Sequence, residues 1–310
     1  MSEPPVRSAS NAGVQNTGSG TINISHSAIG NHPTVRVAHA RESSQRPGAG
    51  RERSQSDIGV ITVLSEETSA VAAALDTAGH CQKKIYDGAR FYEASIDSDG
   101  IQVKMAATQA LNVGSAPTIM AVDRLRQYYD PAVIVLVGIA GGIHPAVALG
   151  DVVVVREVIY YDIRKETPGR VFRRGQTRVI PATIRHAIND FFSSNGEPYG
   201  AHGQDPDGSI RDYKVLPGPI GSGEAVIADG NSDILQYIAA FNDKTLAVET
   251  EAGGLAEAFY ETAGTSPGGW LAIRGISDHA NADKDDTYHQ IASWHAAAVL
   301  LHLVPFLVSG

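Results

Sequence analysis

The run Ile58-Gly-Val-Ile-Thr-Val-Leu64, followed at once by the alanine-rich stretch Glu66–Leu75, reads as a buried strand feeding a helix. Outward from it the same alternation recurs. Ile101–Ala107 predicts a second strand, and Ser115–Tyr128 has helical spacing. Pro131 stops that helix before the apolar run Ala132–Gly138. Asp151–Val158 predicts a further strand, followed by a polar loop to about Thr177. Leu246–Glu249 and Trp270–Ile276 read as short strands, with helices over Glu251–Glu261 and Tyr288–Leu303. Continuous β-branched strands alternating with helices predict an α/β domain in three layers. Its centre is a twisted, mostly parallel (mixed) sheet flanked by helices.

Composition narrows the function. Hydrophobic residues make up 43% of the 310 and aromatics only 6%, so the core is aliphatic. The single cysteine, Cys81, excludes a disulfide framework and a cysteine-based zinc site. No apolar run is expected to reach the roughly 18 residues of a membrane span; the longest, Ala296–Val308, contains His302. The N-terminus has no apolar signal core. A net charge of −9 argues against nucleic-acid binding. The expectation is a cytoplasmic protein acting on a small molecule, away from membrane and nucleic acid.

The charge is uneven. Residues 1–56 carry six arginines against three acids, leaving −12 on the rest, and they contain no Phe, Tyr, Trp, Lys, Leu or Cys. Such a segment buries too little apolar surface to offset its ordering entropy, so a disordered tail is expected before a domain spanning 57–310.

Three carboxylates follow strands in this reading: Glu67, Glu251 and Asp278. The open ends of α/β sheets are where ligands bind. An acid in a helix's first turn also suits the macrodipole with no further role. A glycine-rich turn, Gly138-Ile-Ala-Gly-Gly142, lies among them.

These residues carry a resemblance. Ile58–Glu67, Val135–Gly142, Gly150–Val155, Ser222–Ile227, Ala247–Ala252 and Arg274–Asp278 resemble, in order and spacing, the nucleoside phosphorylase/nucleosidase superfamily, and within it the methylthioadenosine/S-adenosylhomocysteine nucleosidases. The resemblance implies a nucleoside phosphorylase-like fold and a homo-oligomer, dimer or higher. It makes Glu251 the ribose-hydroxyl ligand, Asp278 the acid at the purine and Glu67 the group that positions water. It places substrate contacts at Ile139, Ala140, Gly141, Val226, Ile227, Glu249, Thr250, Arg274 and Ser277, with Ser277 and Arg274 orienting Asp278. The chemistry suits these roles. N-ribosidic cleavage passes through an oxocarbenium-like state, and the purine leaves readily only once protonated. No metal or other cofactor is required.

Water is expected as the nucleophile. Where hexameric purine phosphorylases have Arg-Val-Gly-Ser, this chain has Leu136-Val-Gly-Ile139, without the arginine and serine that would hold phosphate. The chain also departs from the methylthioadenosine enzymes, with Ser222-Gly-Glu-Ala-Val226 in place of Ser-Gly-Asp-Ala-Phe. Its loop 164–174 carries five cations, Arg164, Lys165, Arg170, Arg173 and Arg174, against Glu166 alone. Such a loop is a solvated basic surface, one contacting an acidic neighbour, or a site for a 5′-phosphate or polyphosphate.

Residues 276–288 resemble phosphorylase-type domains of NOD-like immune proteins, a group that includes nucleosidases of adenosine nucleotides. Lys284 matches the lysine of that pattern and is expected at the phosphate. Residues 13–31 alternate β-branched with Asn, Ser and Gly and resemble the amyloid signalling motifs through which a sensor protein templates an immune effector. Together these imply a nucleosidase that releases the base from adenosine nucleotides such as ATP in antiviral defence. The alternatives are a methylthioadenosine/S-adenosylhomocysteine nucleosidase, a purine nucleoside phosphorylase, or an idle nucleoside-binding module.

Overall fold

The computed structural model describes residues 55–262, 268–281 and 287–308. The motif expected at 13–31 and Lys284 lie outside them.

Ser56 is already tied into the domain, its N–H donating to Tyr129 O at 3.0 Å, while Asp57 N donates to Lys104 O at 2.8 Å. The chain then runs β1 (Ile58–Thr62), α1 (Ser65–Gly79), β2 (Gln82–Tyr86), β3 (Ala89–Ser98), β4 (Ile101–Gln109), α2 (Ser115–Tyr128) and β5 (Val133–Gly142). Next come β6 (Val152–Tyr160), β7 (Arg164–Thr167), β8 (Arg170–Arg173), β9 (Gln176–Val179), α3 (Ala182–Asn195), β10 (Tyr199–Gln204) and β11 (Ile210–Ser222). It closes with α4 (Asp233–Phe241), β12 (Ala247–Glu249), α5 (Ala252–Glu261), β13 (Gly269–Asp278) and α6 (His289–Val308).

The main sheet has the order β10-β11-β6-β13-β5-β1-β4-β3-β2, with β12 bridging β11 and β5 and β9 paired to β6. It is mixed. The run β13, β5, β1 and β4 is parallel, whereas β4-β3-β2 and β11-β10 are antiparallel edges. Every residue of β1 and β13 is buried; β1 accordingly reads as an apolar run, whereas β13 takes Arg274, Ser277 and Asp278 into the interior. Helix α6 packs on both α1 and α3, and α2 packs on α5.

Two expectations change. The helix α6 is long and apolar enough, by length and composition, to cross a membrane, so no-span does not hold as a composition rule. Here α6 is a core helix packed on β13, β5 and α1. It lies so close that a methyl group on Gly275 would collide with the main chain of Ala292. Its buried His295 is satisfied by Gly150 O at 2.7 Å and Asp205 Oδ1 at 3.1 Å. The polar loop expected after Val158 is instead the end of β6, the isolated hairpin β7–β8, and β9 on the main sheet.

Candidate active site

Strands β1, β5 and β13 run parallel, so their C-terminal ends open on one side of the sheet, and the candidate residues collect there. Glu67 lies in the first turn of α1. Its side chain turns back, Oε2 accepting from Val63 N (2.7 Å) and Leu64 N (2.9 Å), while Oε1 accepts from Ile139 N at the end of β5 (2.9 Å). One carboxylate thus clamps the ends of two adjacent strands. Burial pushes its pKa above the usual carboxylate range, against the pull of Arg274 and those main-chain donors.

Arg274, on the central strand β13, is fully buried. Its Nη2 pairs with Glu249 and, at 3.0 Å, with Glu251 Oε2. Its Nε and Nη1 have no hydrogen-bond partner among the described residues. A methyl group on Gly138 would collide with both Arg274 Nη1 and the Glu67 carboxylate, so a side chain there would push the two apart. Burial disfavours charge on Arg274, yet Glu249, Glu251 and Glu67 outweigh it and hold the guanidinium protonated.

Glu249 ends β12, and its carboxylate accepts from Glu251 N (3.0 Å) and Ala252 N (2.9 Å) at the start of α5. Glu251 Oε1 accepts from Gly114 N (3.0 Å) and Thr250 Oγ1 (2.5 Å). Asp278, the last residue of β13, accepts from Ser277 Oγ (3.0 Å) and Ala280 N (2.8 Å).

A cavity of about 170 Å³ joins these groups. Glu67, Glu251 and Asp278 line it together, with Ile139–Gly141, Val226–Ile227, Glu249–Thr250 and Ser277. Arg274 sits behind this lining. It was expected to orient Asp278 together with Ser277; Ser277 makes that contact, whereas Arg274 is drawn to the two glutamates, the nearest buried opposite charges. Val63, Leu64, Val113, Ala225, Val248, Ala280 and His289 also line the cavity, beyond the contacts expected from the sequence. Val63 and Leu64 stood inside the opening run, next to Glu67; His289 marks the start of α6, where only the helix had been read.

None of the five cations of 164–174 lines this cavity among the described residues. They ride on the β7–β8 hairpin. Arg164 pairs with Glu166 at 2.7 Å, Arg173 with Asp233 at 2.9 Å, and Arg170 stacks over Phe172 at 4.4 Å; Lys165 and Arg174 are exposed.

Relatives share this arrangement of strands. The chain is 27% identical over 255 residues to the ATP nucleosidase Cap17 of Escherichia coli, covering 77% of this chain and 49% of that protein. It thus spans about half the length of that relative. It is 24% identical over 251 residues to a 5′-methylthioadenosine/S-adenosylhomocysteine nucleosidase of Anoxybacillus flavithermus, covering 80% of this chain and 97% of the other. The crystal structure of an S-adenosylhomocysteine nucleosidase from Streptococcus pyogenes superposes with a TM-score of 0.63 at 19% identity, over 81% of this chain and 97% of that one. Residues 57–304 match the Phosphorylase superfamily, the family to which this chain belongs.

Proposed function

We propose that the chain is a nucleosidase that hydrolyses the N-ribosidic bond of purine nucleotides, ATP foremost. The observation that carries this reading is the convergence of Glu67, Glu251 and Asp278 on one cavity, each fixed by hydrogen bonds from main-chain N–H groups. Asp278 protonates the purine as the bond from its nitrogen to C1′ breaks and the electron pair passes to the base. Glu251 holds the sugar hydroxyls while positive charge grows at C1′. Glu67 accepts the proton of the water that adds to C1′; burial keeps this carboxylate basic. Four carboxylates around the cavity, with Glu249 the fourth, favour neutral water over a phosphate dianion as nucleophile.

ATP is favoured over a thioether by the similarity to an ATP nucleosidase; the five cations on the hairpin, outside the cavity lining, would serve it only by reaching a 5′-phosphate that extends beyond the cavity. The apolar Val113 and Val226 at the cavity, both more than half exposed, favour the second reading, a methylthioadenosine/S-adenosylhomocysteine nucleosidase. Exposed Leu111, Val113 and Met120 support a homo-oligomer as the working state. The setting proposed is the cytoplasm during antiviral defence, with residues 13–31 as the contact for a sensor protein.

The test is incubation with ATP, AMP, adenosine and methylthioadenosine, with the free base measured by chromatography. Adenine released fastest from ATP supports the reading. Release from methylthioadenosine alone replaces it with the second.

A further inference from the structure

Glu251 accepts three hydrogen bonds, from Gly114 N and Thr250 Oγ1 on its Oε1 and from Arg274 Nη2 on its Oε2. A carboxylate can accept about four. A sugar carrying two neighbouring hydroxyls brings two donors, one more than the capacity left. Gly114 N is a buried main-chain donor, and Arg274 is a fully buried cation held by two carboxylates, so displacing either is costly. Thr250 differs from both. Its hydroxyl accepts as well as donates, and it faces the same cavity.

We propose that Thr250 and Glu251 read the sugar jointly. Thr250 Oγ1 goes on donating to Glu251 and accepts one sugar hydroxyl, and the other sugar hydroxyl takes the last acceptor position on Glu251. Thr250 is then a specificity-determining residue for substrates bearing the full diol. This rests on the nucleosidase reading, in which Glu251 faces the sugar.

The experiment compares wild type, Thr250→Val and Thr250→Ser on ATP, 2′-deoxy-ATP and 3′-deoxy-ATP. Valine keeps the shape and removes the hydroxyl; serine keeps the hydroxyl. Thr250→Val should lower kcat/KM for ATP about tenfold, mostly through KM, the size of one lost hydrogen bond. It should leave one deoxy analogue, the one lacking the hydroxyl that Thr250 accepts, within about twofold of wild type. Thr250→Ser should recover ATP to within about threefold of wild type. An equal loss on all three substrates, no loss on any, or a serine variant as poor as valine would overturn the proposal. Calorimetric binding of the same three nucleotides in an Asp278→Asn background separates the two levels. Thr250-dependent preference for ATP in binding, with no base released by the wild type, keeps this inference and overturns the nucleosidase reading. Base release without Thr250-dependent discrimination overturns the inference alone.

Discussion

The centre of the sheet and the β7–β8 hairpin both pair arginines with carboxylates, in opposite surroundings. Arg274 is fully buried between Glu249 and Glu251, and main-chain donors fix both glutamates. Arg164 and Glu166 on the hairpin have side chains 44% and 64% exposed. In the low-dielectric centre each charge depends on its partners, because an unpaired ion there is very costly. Around Arg164 and Glu166 water and salt screen the same pairing, so it fixes little and leaves these side chains able to exchange partners. The central cluster holds geometry; the exposed pair on the hairpin does not depend on its partner in the same way.

The largest difference should appear on removing the cation from each region. Arg274→Leu leaves Glu249 and Glu251 buried without their counter-charge and should cost about 3–5 kcal/mol of stability, read from urea unfolding. A loss below about 1 kcal/mol would remove the distinction between the two regions.

Next in size is the proposed general base. Glu67→Gln should lower kcat by about 10²-fold or more while keeping affinity for substrate. It should also change the pH profile. Only the ionised carboxylate accepts water's proton, and burial places its pKa above the ordinary range. Wild-type kcat/KM should therefore rise with pH through that raised value, and the rise should vanish in the glutamine variant. A variant that keeps the rise assigns it to another group.

The smallest effect belongs to the hairpin. Arg173→Glu with Arg174→Glu should raise KM for ATP by about tenfold and leave KM for adenosine unchanged, since adenosine has no phosphate for a cation to grip. Equal effects on both substrates would make the hairpin a plain solvated surface.

This contrast also marks what was legible beforehand. β1 and β5 stood out as apolar runs, and Glu67, Glu251 and Asp278 stood just after or at the ends of β1, β12 and β13. β2, with Gln82, Lys83 and Lys84 exposed on an edge, offered no such pattern. β11 hid behind Pro217 and Pro219, residues that normally exclude a strand; a register shift between Gly218 and Pro219 accommodates them. The alliance of Arg274 with Glu249 was out of reach, because the two lie on different strands and meet only in the folded sheet. The hairpin's fold was equally hidden, since four-residue strands of mixed polarity carry no periodicity to read.

The central claim is that Asp278 supplies the proton that lets the base leave. Single-turnover base release by wild type and Asp278→Asn, with urea unfolding of both, tests it most directly. The rate should fall by about 10²–10⁴-fold with an unchanged unfolding midpoint. An asparagine variant that keeps more than about a tenth of the wild-type rate would contradict it.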